Sequence, residues 1–368
     1  MTQNPARESG YDLMRLCAMV AVVATHVLMV YRVPGAPVSA VSLIDMLLHF
    51  AVPVFFFVSG ALVWGRYKGR GATEYGFFLR RRAITIAAPY VAWSALYLAI
   101  ASFRGDWVYW VTRTPMLMLT GKAWYHLYFV PVLLLFYLLT PIAAPLVSRW
   151  PEVAVAAAFL ARLTLVQPVT ELAAQIGGPM LVTFTATAVT HLSLMVLGAW
   201  FARRRTTVLP ILSTWWPALI LLGAALLIGK ALSAFDAASL RLLARTVIPL
   251  GMALIVLGLT GAAFRMRLSS RHAAVSAELA AYSFGVYFIH PVFVLAWSAV
   301  VTATGASLLW NSAWFAVLSV SAITAVSLAV SALLCRNRFT AWLIGRDAGK
   351  RTQGGATPLS SSCPRTET

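Results

Sequence analysis

Acidic residues are scarce in this chain of 368 residues: Asp and Glu together number 11, against 29 Lys and Arg. Charged residues of both signs make up only 11% of it, whereas a soluble globular protein carries about 25%. That shortage excludes an ordinary soluble enzyme, a disordered chain and a collagen-like fibre. Cysteine is nearly absent, and Cys17, Cys335 and Cys363 have no paired spacing that suggests a disulfide framework or a zinc site. No cluster of His, Cys and carboxylates has metal-ligand spacing, so no metal is expected. The chain also lacks a G-x-x-x-x-G-K-S/T nucleotide loop, an H-E-x-x-H pair and a G-x-S-x-G elbow. ATP-driven transport and zinc hydrolysis therefore find no support.

Apolar residue is what the chain has in abundance, at 60% of the total. A membrane-crossing helix needs about 20 consecutive apolar residues. That template fits ten times: 11–30, 41–64, 83–103, 126–147, 153–168, 180–201, 209–229, 241–262, 277–300 and 307–335. The expected fold is an all-α polytopic transmembrane bundle, with a short N-terminal segment over residues 1–10 and a membrane domain over 11–335. The Gly-, Ser- and Thr-rich stretch 346–368 reads as a disordered basic tail. The first span has no small-residue cleavage site after it and is expected to be retained.

The net charge of +18 fits the same frame. With both termini in the cytoplasm, 20 Lys and Arg fall in inside segments and 5 in outside loops, as the positive-inside rule requires. The basic residues thus set orientation, and no nucleic-acid partner is expected. The surroundings are lipid, in a cell (inner or plasma) membrane.

Ionisable groups inside a bilayer cost at least about 2.5–3.5 kcal/mol near its centre, so each calls for a reason. In the first span Asp12 and Arg15 are three residues apart, and His26 follows Arg15 by eleven. Eleven residues come within about 20° of three full helical turns, so Arg15 and His26 share a face about 16 Å apart along the axis. They are either a snorkelling Arg and a core His, or the ends of one site. Asp45 and His49, one turn apart, are either a plain ion pair or a carboxylate fixing an imidazole tautomer. The stretch FLRRRAITIAAPY, 78–90, ends a loop with six basic residues, among them Arg80, Arg81 and Arg82. Such a cluster solvates one membrane face or binds phosphates. His126 lies in an interfacial aromatic run, and His290 precedes a kinking proline, Pro291. Arg162 and His191 sit in mid-span, where they should face the bundle interior.

In this order the motifs resemble the acyltransferase-3 family of integral membrane acyltransferases. The D-x-x-R with a His eleven residues on reads as Asp12, Arg15 and His26, and F-F-x-S-G as Phe56-Phe57-Val58-Ser59-Gly60. The basic stretch before the third span follows, then His126-Leu127-Tyr128-Phe129 and S-F-G-x-Y-x-x-H-P ending at His290-Pro291. The resemblance covers about residues 8–335. One departure is the absence of a further Arg in the third span, where Ala83-Ile84-Thr85-Ile86 stands. No esterase-like domain follows, so the bundle alone is expected to modify the acceptor.

The resemblance implies transfer of an acetyl or related acyl group from cytosolic acetyl-CoA to a hydroxyl of a surface glycan or lipid-linked sugar. Arg15 and Arg80–Arg82 would anchor the donor. His26 would act as general base on the acceptor hydroxyl, or carry the acyl group transiently. Asp45, His49, His126 and His290 would orient the sugar. The rival reading is a non-enzymatic transporter or flippase for glycan precursors. It lacks the matched pair of Gly- or Pro-broken helices that would point to it.

Overall fold

A computed structural model describes residues 6–31, 40–67, 71–105, 107–176, 179–232, 241–305 and 312–346. Among these the chain is helical throughout, without a strand. In chain order the helices are α1 (Ala6–Leu28), α2 (Ala40–Leu48), α3 (Ala51–Ser59), α4 (Ala72–Arg82), α5 (Ala88–Arg104), α6 (Trp107–Thr120) and α7 (Phe129–Leu138). There follow α8 (Thr140–Arg149), α9 (Pro151–Ile176), α10 (Pro179–Ala231), α11 (Arg241–Arg265), α12 (Ser270–Ala281), α13 (Ser283–Ala303) and α14 (Ala313–Arg336). Two π-helical turns, Gly60–Trp64 and Ala83–Ala87, continue α3 and join α4 to α5.

Eight helices among the described residues are long and apolar enough to cross a membrane, or nine when α7 and α8 count as one bent span. All ten expected spans map onto these, apart from residues 307–311 of the last, which lie outside the described residues. The difference in number comes from α10, which runs unbroken through the stretches 180–201 and 209–229. Arg203–Arg205 do not interrupt it, because arginine is a good helix former. The expected tail lies outside the described residues except for Arg346, which is buried.

Prolines place the local breaks. Pro53 has no N–H to give the carbonyl of His49, four residues back, and α2 and α3 part at His49–Phe50. Pro141 does the same to Tyr137, and α7 and α8 meet at 71°. The basic stretch is helical rather than a loop from Ala72 onward.

The chain forms two compact units, each with its own core. The first comprises residues up to Val58 and Arg204–Ala332. There α1 packs against α2, α11, α12 and α13. Its apolar cluster is Met19, Val23, Val27, Val286, Val294 and Ile323. The second comprises Ser59–Arg203 and the described residues from Leu333. In it α5 packs on α6, and α8 on α9. The Trp64 indole N–H donates to Thr140 Oγ1 at 3.0 Å, pinning the first π turn to α8.

Candidate active site

In the first unit the α1 motif lies on one uninterrupted helix, as its spacing requires. Arg15 Nη1 is 3.3 Å from Asp12 Oδ1, so D-x-x-R is a local ion pair, with both side chains mostly shielded. Nearer the other end of α1, His26 Nδ1 is 2.8 Å from His290 Nε2 on α13. The ring planes differ by 20° and the centroids are 5.0 Å apart, so the imidazoles meet nitrogen to nitrogen, edge on, not face to face.

The His290 ring is fully buried, and its Nδ1 is 2.9 Å from the Val286 carbonyl. A carbonyl only accepts, so His290 Nδ1 carries the proton and its Nε2 the lone pair. That lone pair accepts from His26 Nδ1–H, which leaves Nε2 as the basic nitrogen of neutral His26. The tautomers follow from one backbone oxygen and the order of contacts. Pro291 contributes as well, since it cannot donate to the Tyr287 carbonyl and so loosens the helix here.

Both ring nitrogens of His290 are engaged, one with the backbone and one with His26. Asp45 is buried and His49 half exposed. The His49 Nδ1 contact goes to the Asp45 backbone carbonyl at 2.6 Å, while the carboxylate is 3.7 Å away. The pair is therefore closed mainly through the main chain.

In the second unit a cavity of about 700 Å³ opens between the two π turns. Leu62 and Val63 of the first turn and Thr85 of the second line it. π turns often mark functional sites. Arg66, Arg81 and Arg82 face the cavity, whereas Arg80 is not among its lining residues. The Arg82 guanidinium lies 5.1 Å from both the Phe78 and Tyr137 rings, which themselves meet edge to face at 5.6 Å, so it caps that aromatic pair. The Tyr75 hydroxyl lies 3.0 Å from the Tyr137 carbonyl and 2.8 Å from that of Leu138. It thereby uses the acceptor that Pro141 leaves open. Arg203 Nη2 donates to the Tyr67 carbonyl at 3.2 Å and steadies that wall.

His126 is buried elsewhere in the second unit, edge-on to Tyr97 and Tyr125 with centroids 5.3 and 5.5 Å away. Arg162 Nη1 donates to the Thr190 carbonyl at 3.0 Å, tying α9 to α10. His191 beside it bonds to the Thr187 carbonyl at 2.8 Å. Both mid-span groups thus turn toward protein, as expected.

A family model described as an acyltransferase domain matches residues 8–334, most of the chain. The chain belongs to the acyltransferase-3 family. Neither a curated protein nor a solved structure matches it. As an acyltransferase-3 protein it is a multi-pass membrane acyltransferase. The family motifs fall into both units of this acyltransferase. Asp12, Arg15, His26 and His290 lie in the first, and the basic stretch and His126 in the second. Tyr75 and Thr140 were not foreseen as neighbours of that stretch. The prolines at 89 and 141, which disturb the helices around it, were the signal available.

Proposed function

We propose that this acyltransferase moves an acetyl group from acetyl-CoA to a hydroxyl of a surface glycan or lipid-linked sugar in the cell membrane. The observation that carries the reading is the ordered chain from the Val286 carbonyl through His290 to His26, which presents His26 Nε2 as a base. The acceptor O–H gives its proton to that nitrogen while its oxygen attacks the thioester carbonyl carbon. The C–O bond forms, the C–S bond breaks, and the sulfur leaves with the electron pair. Imidazolium then returns the proton to the thiolate, so ester and free thiol are the only products.

The donor is a polyanion, and the cavity between the π turns suits its nucleotide end. Its volume falls within the roughly 300–1,000 Å³ usual for small-molecule sites. Arg66, Arg81 and Arg82 supply forked donors to phosphate, taking the place of the third-span arginine that this chain lacks. Arg15, on the face of α1 that carries His26, is proposed to hold the donor's acyl arm, and both termini to face the cytosol where acetyl-CoA is made.

The test uses the purified full-length protein in lipid nanodiscs with radiolabelled acetyl-CoA and a panel of glycans. Label should move to a glycan hydroxyl, and His26→Ala should abolish the transfer while abundance and membrane insertion stay unchanged. Full activity of His26→Ala, or complete inertness of the native protein toward acetyl-CoA, overturns the reading; inertness favours the transporter.

A further inference from the structure

The cavity between the π turns carries both signs of charge. Besides Arg66, Arg81 and Arg82, its lining holds one carboxylate among the described residues, Glu74. Glu74 makes no ion pair with those arginines or with any other described residue. Glu74, Phe77 and Arg81 fall within about 60° of one another around α4, so they share one wall. Along the axis Phe77 lies about 4.5 Å beyond Glu74, and Arg81 about 10 Å beyond it. The wall thus runs from an acceptor, past an aromatic ring, to a cation. Phe77 is 70% exposed and meets no other ring among the described residues. Phe78 next to it is instead occupied by Tyr75, Tyr137 and Arg82.

An adenine nucleotide has the same order of parts: an amine at one end, a flat ring in the middle and phosphate at the other. We infer that Glu74 and Phe77 select an adenine base in this cavity: the ring stacks on Phe77, and its exocyclic amine donates to the Glu74 carboxylate. The phosphates then lie at Arg81 and Arg82. The inference rests on the reading that the cavity takes the nucleotide of the donor, and adds which base it accepts. Stacking on an aromatic ring tolerates any base, whereas a carboxylate favours one that presents a donor. A ribose hydroxyl suits Glu74 less, because it adjoins the phosphates that the arginines hold some 10 Å away along the helix. Glu74 also stands in the first turn of α4, where a negative charge favours the helix dipole. That role concerns stability and is blind to the base, so a ratio of two ligands separates it from recognition.

Binding of adenosine 3′,5′-bisphosphate is compared with that of its purine analogue, in which hydrogen replaces the amine. Calorimetry on the full-length protein in nanodiscs gives both Kd values. The native protein should prefer the adenosine ligand by about tenfold or more, the scale of one hydrogen bond to a charged group. Glu74→Met should bring that preference close to one. Phe77→Ala should weaken both ligands by about fivefold or more and leave the preference in place. Glu171→Met, exposed on α9 and outside the lining, should change neither. A ratio of two Kd values on one sample does not depend on how much of it is folded. Equal affinity of the native protein for the two ligands overturns the base selection alone, as does an undiminished preference in Glu74→Met. Binding of neither ligand by the native protein removes the donor nucleotide from this cavity, and the inference falls with that reading.

Discussion

The imidazoles of His26 and His290 come from helices 264 residues apart in sequence and meet through a single contact of 2.8 Å. The direction of that contact is set from behind, by the Val286 carbonyl accepting from His290 Nδ1. A base whose other nitrogen is already hydrogen-bonded has a fixed tautomer and a fixed ring plane. Under the proposed mechanism His290 is a positioning residue acting through His26.

Removing His290 should lower kcat and leave the KM for donor and acceptor nearly alone. His290→Ala is expected to cost on the order of tenfold to a hundredfold in kcat, less than the roughly 10²–10⁴ of losing the base itself. His290→Gln, whose side-chain oxygen can accept from His26 Nδ1–H, should recover part of the loss. A merely structural role would instead appear as equal damage in both variants and reduced thermal stability.

Under the proposed reading the cationic cavity takes the nucleotide of the donor and leaves the chemistry to the first unit. Arg82→Met should raise the KM for acetyl-CoA about tenfold or more, the scale of one lost charge-assisted hydrogen bond. It should change little with acetyl-pantetheine, which lacks the nucleotide. Arg82→Lys should not rescue, because an ammonium lacks the planar fork that binds phosphate bidentately. Steady-state kinetics with the two donors checks both points, and equal KM increases for both donors would remove the nucleotide from this cavity.

How much of this was legible in the sequence depended on the range of each signal. Arg15 and His26 were readable as one face because a helix repeats locally, and α1 has no proline to interrupt it. The His26 partner was not readable, since no periodicity links residue 26 to residue 290. Hydropathy found every span, yet it placed a loop where α10 continues, because arginine breaks an apolar run without breaking a helix. The cavity was hidden for a third reason. Its wall depends on α4 being helical and on two π turns, and charge density in the basic stretch reads the same in a loop.

Close helix approach in the second unit can be tested with glycine. A Cβ added at Gly60 would collide with the Met195 backbone carbonyl on α10, which cannot move aside like a side chain. Gly60→Ala should therefore destabilise by about 1–3 kcal/mol or more. Gly76 in α4 has nothing within 4 Å of an added Cβ, so Gly76→Ala should stabilise by about 0.5–1 kcal/mol. Thermal unfolding in detergent compares them, and a Gly60→Ala melting temperature equal to that of the native protein would contradict the packing.

The Asp12–Arg15 pair presents two roles that a single variant cannot separate. At 3.3 Å, with side chains 17% and 25% exposed, the pair contributes little to stability, about 1 kcal/mol or less. If pairing were its whole purpose, the swapped variant Asp12→Arg with Arg15→Asp would restore both stability and activity. The proposed donor contact requires the guanidinium at position 15, about 4.5 Å nearer His26 along the helix axis than position 12. The swap should hence recover the melting temperature while kcat/KM for acetyl-CoA stays at least about tenfold below native. Asp12→Asn, which keeps the guanidinium in place but loosens its orientation, should fall between the two. A swap variant with native kinetics would make Arg15 a structural residue and leave donor recognition to the arginines of the second unit.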